Sequence, residues 1–427
     1  MSVVIRSEHV AKTIVVNGVR YFVDVLREDH SGRYVAVIVD HEGKGQPVFP
    51  RGMGHGIVLS PSIYEMNAPP YVIAMGDFFA AEVVSIKEVV ERVRFVVEGY
   101  VKMSRPELYD LVTLWICMSW LHGVIDKKPN IYVTGMFGTG KSVVAQIIRY
   151  LARYPCDVIN NVKSSELWHA GITKGVIMMD ETDIITKKLA QTLRRMHDSG
   201  VRMVRMTAMG GQWEFMSMDI SAPVALIGTH LPKDPALLSR GFVVKMHYGR
   251  PPRKPVGIRD ECEAIKPVIA KSLVLRWSEF LSKMYKVYSE VSEEIHARYA
   301  DVVAPLAAVA DMAGMDWGFL ELLARYSSIT ASIMNPSVRA TLMVARAIER
   351  RGLRLGQHVA MDFPDFYGLI REVASALALS RSTAEYVAQY FLSAAEPCYY
   401  KGREMLCFDV NDLEAIEMLY GYGYGGR

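Results

Sequence analysis

Residues 130 to 142 read Asn130-Ile131-Tyr132-Val133-Thr134-Gly135-Met136-Phe137-Gly138-Thr139-Gly140-Lys141-Ser142. A short apolar strand runs straight into Gly-x-x-x-x-Gly-Lys-Ser, the spacing of a phosphate-binding loop. Each residue type has a mechanical task there. The glycines let the backbone fold back so that successive N–H groups point at one anion. Lys141 reaches the β- and γ-phosphates, and the Ser142 hydroxyl holds Mg²⁺. Ile131, Tyr132, Val133 and Thr134 are good strand formers. After Ser142, the apolar residues Val143, Val144, Ile147, Ile148 and Leu151 recur at helical spacing. That helix sets the positive end of its dipole against the phosphates. Gly135 to Val143 is therefore the expected nucleotide cradle.

A second element follows roughly forty residues on, within the usual range for such loops. Val176-Ile177-Met178-Met179 is an apolar run of buried-strand type, ending in Asp180-Glu181. Asp180 is expected to share the Mg²⁺ with Ser142. Glu181 is expected to polarise the attacking water as a general base. Pro223 to Gly228 reads as another buried strand and ends at Thr229-His230. Thr229 is either a polar sensor of the γ-phosphate or a plain strand end. Leu237-Leu238-Ser239-Arg240-Gly241 precedes the strand Phe242 to Met246. Arg240 either reaches the γ-phosphate of a neighbouring subunit or makes a surface ion pair.

In this order the motifs resemble the AAA+ class of P-loop ATPases. They are more closely similar to ATPase domains of phage, plasmid and archaeal primase–helicase proteins, akin to superfamily 3 helicases. Glu107 to Trp115 ahead of the loop strand, Leu193 to Gly200 after the acidic strand, and Leu238-Ser239-Arg240 carry that likeness. It spans roughly residues 100 to 252. The asparagine usual in those helicases at the polar strand end is replaced here by Thr229 or His230. The resemblance implies an α/β P-loop NTPase core with a parallel sheet. It also implies Mg²⁺-dependent ATP hydrolysis, a homo-oligomeric ring of six subunits, and DNA as partner. The work implied is helicase-like movement of DNA in replication of a plasmid, virus or archaeal genome. A nucleotide-switched DNA-binding regulator and a protein-remodelling ATPase are the alternatives.

The rest of the chain is read around that core. Residues 1–80 look like a β-rich module. Lys12 to Val16 and Val19 to Leu26 flank Asn17-Gly18, a hairpin signal; Tyr34 to Val39 adds a strand, and Gly43 to Gly56 reads as loop. The module either packs on the ATPase or binds a partner. Residues 81–252 hold the ATPase and its preceding helices. Within them Val201 to Met206 and Gln212 to Met218 form an inserted hairpin. Arg202, Arg205 and Trp213 there read either as pore contacts to DNA phosphates and bases or as solvated and packed strand residues. Residues 253–355 are helical, after the proline-rich stretch Arg250 to Pro255. Residues 356–427 resemble a winged helix. One helix ends near Leu379 and a second is capped by Ser382, with Glu385 completing a capping box. Arg381, Thr383 and Gln389 are candidates for a DNA groove, with Lys401 and Arg403 on phosphates. Such a fold also serves as a protein-contact module. The tail from Gly421 to Arg427 reads as disordered.

Composition bounds the rest. Hydrophobic residues make up 51% of the 427 and charged residues 22%, which is the range of soluble globular chains. A net charge of +3 carries no global nucleic-acid signature, so any such surface is local. The 5 cysteines form no C-x-x-C pair, which argues against a zinc site and for reduced thiols in a cytoplasm. Cys398 and Cys407 could face each other across a hairpin, where a bridge is the alternative reading. No signal peptide is visible, and the apolar stretch Leu108 to Ile125 is read as a buried helix beneath the sheet, not a membrane span.

Overall fold

The structure is a computed structural model, described for residues 3–5, 12–16, 18–31, 33–48, 57–59, 71–158, 167, 175–180, 185–199, 202–209, 212–232, 234–294, 297–333, 336–410 and 413. At its centre lie five parallel strands: β1 (Asn130–Thr134), β2 (Cys156–Val158), β3 (Ile177–Met179), β4 (Val224–Gly228) and β5 (Gly241–Lys245). Their order is β5-β1-β4-β3-β2. Every residue of β1 and β4 is buried. That is why their middles, residues 131–133 and 224–227, read as apolar runs: a parallel sheet is covered on both faces. β2 has only three residues, too few to show a period, and sequence reading did not find it.

The helix Pro106–Ser119 is buried along most of its length. The indole N–H of Trp115 donates to the Pro129 carbonyl at 2.8 Å, and that of Trp120 to the Leu151 carbonyl at 3.0 Å. One bond holds the approach to β1 and the other the end of helix Lys141–Leu151. Two tryptophans thus anchor both ends of the strand–loop–helix unit. The expectation of a buried helix here holds, and no helix among the described residues is long and apolar enough to cross a membrane.

An antiparallel sheet of Lys12–Val16, Val19–Arg27, Tyr34–Asp40 and Gly45–Val48 shares this core. The last strand corrects the expected loop at Gly43 to Gly56. The edge of Tyr34–Asp40 supplies its pairing partners, which no local signal announces; residues 49–56 lie outside the described residues. Asp24 forms an ion pair with Arg153, and both are almost wholly buried. Tyr154 donates to the Val25 carbonyl at 2.7 Å, and Trp277 to the Asp40 carbonyl at 3.0 Å.

Two compact units emerge. The first comprises residues 1–232 and 240–324, the second 233–239 and 325–427. The proline-rich stretch lies inside the first. Arg253 packs over Phe95 and Tyr100, both 4.5 Å from its guanidinium carbon, and donates to Glu261 at 3.0 Å. The inserted hairpin pairs Arg202 with Asp219 through Met209 with Gln212, so its arms run longer than expected.

The second unit orders its elements as helix Pro336–Arg351, strands Leu353–Leu355 and His358–Met361, helices Phe363–Ala376 and Arg381–Ala394, and strands Glu396–Tyr400 and Arg403–Asp409. Phe366, Phe391 and Phe408 meet in its core. The second helix is capped by Ser380, not Ser382. The Ser380 hydroxyl accepts from the Thr383 N–H, and Glu385 bonds Arg381 at 2.9 Å instead of closing a capping box. Cys398 and Cys407 form a disulfide, the bridge left open for this pair beside the general expectation of reduced thiols. Their register places them diagonally on one face of the hairpin, 5.9 Å apart at Cα. Cys117, Cys156 and Cys262 are not in disulfides.

Candidate nucleotide site

β1 delivers the loop at the carboxyl edge of the sheet. Gly138 and Gly140 have φ of +79° and +88°, the left-handed region that L side chains avoid. Gly140 immediately precedes the helix, and its carbonyl accepts from Val143 and Val144. Lys141 Nζ donates to the carbonyls of Gly135 and Met136 at 2.8 and 2.9 Å, which keeps the ammonium inside the loop. The Thr139 hydroxyl braces the turn by donating to the Met136 carbonyl at 2.8 Å. A Cβ at Gly135 would stand 2.6 Å from the Met246 carbonyl oxygen, so the exit of β5 leaves no room for a side chain there.

The neighbouring strand ends converge on this edge. Met179 of β3 lies level with Leu226 of β4, which lies level with Tyr132 of β1. Asp180 therefore emerges exposed two strands from the loop, on the order of 10 Å away at ordinary strand spacing. Glu181 lies outside the described residues. The Thr134 hydroxyl donates to the Thr229 carbonyl at 2.9 Å, which ties the polar end of β4 to the entry of the loop. Ser142 is exposed in the first helical turn. Ser142 and Asp180 are hard oxygen donors on one edge. That set suits Mg²⁺, which takes one or two protein oxygens and leaves the rest to phosphate and water.

Arg240 occupies the opposite edge. Its carbonyl accepts from the Asn130 N–H at 2.9 Å, beside the first residue of β1. A five-residue strand separates it from Gly135, about 17 Å at 3.3 Å per residue. It lines a polar cleft of about 450 Å³ together with Lys127, Gln191, Arg194, Arg195 and His197. Lys127 pairs with Asp198 at the rim. Burial lowers the His197 pKa to about 3, so the ring is neutral. Its Nδ1 lies 2.6 Å from the Lys128 carbonyl, a contact that places the proton on Nδ1. Arg194 and Arg195 lie in the stretch Leu193 to Gly200, and the signal that marks them is two cations in the last turn of helix Lys187–Met196.

No protein-family model and no curated protein matches this chain. Similar solved structures include the following two. SCCmec type IV Cch, described as an active helicase, matches over 95% of this chain and 97% of its own, at 12% identity and a TM-score of 0.46. A full-length MCM homolog from Methanopyrus kandleri matches over 75% of this chain and 73% of its own, at 12% identity and a TM-score of 0.36. Neither likeness bears on the reaction of this chain.

The nucleic-acid candidates fall in both compact units. Arg202 is exposed on the hairpin. Arg205 faces Met216 across the ladder, and Trp213 pairs with Ala208. In the second unit, Thr383 is occupied in the helix cap, 2.8 Å from the Ser380 hydroxyl, and Arg381 is bonded to Glu385. Gln389 is exposed on the same helix. Lys401 and Arg403 are exposed at the tip of the last hairpin, with Lys401 in a positive-φ turn.

Proposed function

We propose that this chain is a Mg²⁺-dependent ATPase that works as an oligomeric, helicase-like DNA motor in the replication of a plasmid, virus or archaeal genome. The observation that carries the reading is the loop from Gly135 to Ser142. It joins a buried strand to a helix, with two glycines in the left-handed region and the Lys141 ammonium held at its centre. Lys141 leaves the two loop carbonyls to meet the β- and γ-phosphates. Loop N–H groups and the helix N-terminus neutralise the remaining charge. A Mg²⁺ held by Ser142 and Asp180 would supply further charge neutralisation. Glu181 orients the attacking water, and Thr229 contacts the water or the γ-phosphate.

Arg240 supports oligomeric action. It stands a full strand length from its own loop, so a role on the γ-phosphate requires the loop of a neighbour. The hairpin with Arg202, Arg205 and Trp213 is proposed to contact DNA in a ring. The second unit is proposed to be a winged helix that binds DNA through Gln389, Lys401 and Arg403. Arg381 and Thr383, both engaged within their own helix, serve there only if DNA displaces those bonds.

The test is ATP hydrolysis by the full chain, with and without single- and double-stranded DNA, with Glu181→Gln as the blank. The expected result is hydrolysis stimulated by DNA and abolished in the variant. Arg240→Ala is expected to lose hydrolysis while keeping ATP affinity. Hydrolysis indifferent to DNA rejects the motor in favour of a regulator or protein remodeller. Absence of hydrolysis above the blank, with every added DNA, rejects the catalytic roles.

A further inference from the structure

The loop carries more exposed apolar surface than phosphate binding needs. Met136 is 62% exposed, Phe137 78% and Tyr248 71%. Phosphates are met by backbone N–H groups and by Lys141; none of these tasks calls for an aromatic ring. Tyr248 nevertheless reaches the loop. A Cβ at Gly138 would lie 3.5 Å from Tyr248 Cε1, ordinary contact distance. The chain brings the ring there through Met246, which is buried and whose N–H donates to the Thr134 carbonyl at 2.6 Å. His247 and Tyr248 then emerge exposed at the mouth of the loop.

The sheet order fixes which flank this is. β4, with Thr229 at its end, and β3, with Asp180, lie on one side of β1; β5 lies on the other. A triphosphate whose γ end turns toward Asp180 and Thr229 sends its nucleoside toward β5. We propose that Tyr248 is the stacking platform for the purine base of the bound nucleotide, an inference that rests on the nucleotide reading of the loop. Stacking uses the π-face that every base has. The platform therefore adds affinity for adenine and guanine nucleotides alike and does not choose between them.

The test is titration of the full chain with the Mg²⁺ complexes of ATP, GTP and inorganic triphosphate. Wild type, Tyr248→Ala and Tyr248→Phe are compared. Tyr248→Ala is expected to weaken ATP and GTP binding about ten-fold each, to leave triphosphate binding unchanged, and to be rescued by Tyr248→Phe. Unchanged ATP affinity in Tyr248→Ala, with wild-type binding intact, overturns the platform and leaves the loop reading standing. So does triphosphate weakening in step with ATP, because the substitution then acts on the loop. A change in assembly without a change in ATP affinity assigns the ring to a subunit contact and overturns it too. Wild-type protein that binds neither ATP nor triphosphate rejects the loop reading, and the platform falls with it.

Discussion

His197 shows how one side chain can set a pH dependence. Its ring accepts no proton in the fold until the pH is near 3, against an ordinary value near 6.5, because burial penalises the imidazolium. The unfolded chain takes up that proton as the pH falls below 6.5. Stability should therefore fall between about 6.5 and 3 by about 1.4 kcal/mol per pH unit from this group alone. His197→Asn keeps an N–H donor near the Nδ1 position and cannot titrate. Urea unfolding across this pH window should show a shallower slope in the variant, and an unchanged slope would sink the assignment. Nothing in the run Arg195-Met196-His197-Asp198 announced this. The polarity of the site comes from the Lys128 carbonyl, distant in sequence and adjacent in space.

At the scale of elements, the strand–loop–helix unit was legible because its signals are local. Strand formers, glycines and a helical apolar period follow one another within two dozen residues. The hairpins at 12–27 and 202–219 and the strands at Glu396–Tyr400 and Arg403–Asp409 were legible for the same reason. The order β5-β1-β4-β3-β2 was not, because parallel neighbours are joined by long crossovers that leave no mark on either strand. Glycine at 241 depends on that order. A Cβ there would lie 2.2 Å from the Asn130 carbonyl oxygen and 2.8 Å from Asn130 Cα, both main-chain atoms of β1. Gly18, by contrast, has φ of +80° and nothing within 4 Å. Gly241→Ala should cost about 2–3 kcal/mol in denaturant unfolding, near the upper end for overpacking. Gly18→Ala should cost about 1–2, from its backbone alone. Equal losses would mean that β5 yields at Gly241 and that the contact with β1 is not tight.

For the first compact unit taken whole, the Asp24–Arg153 pair links the antiparallel sheet to the core around the parallel sheet. Burial raises the Asp24 carboxyl pKa despite the adjacent guanidinium. Such a pair adds little over a well-packed apolar contact, yet removing one partner strands the other charge. Asp24→Ala should cost about 3–5 kcal/mol. The sheet and the candidate nucleotide site should then be lost in one transition, followed by circular dichroism and ATP binding together. Separate melting of the sheet, with ATP binding retained, would show that the two do not share a core.

By itself the sequence determined the glycine loop between β1 and helix Lys141–Leu151, the acidic strand end after Met179 and most of the elements around them. Each rests on residues near one another along the chain, where spacing and period carry the information. Tertiary structure alone decided the strand order, the separation of Arg240 from its own loop, the neutral His197, the Asp24–Arg153 pair and the place of Tyr248 against Gly138. Those depend on which distant segments meet, and burial and contact across that distance leave no local pattern.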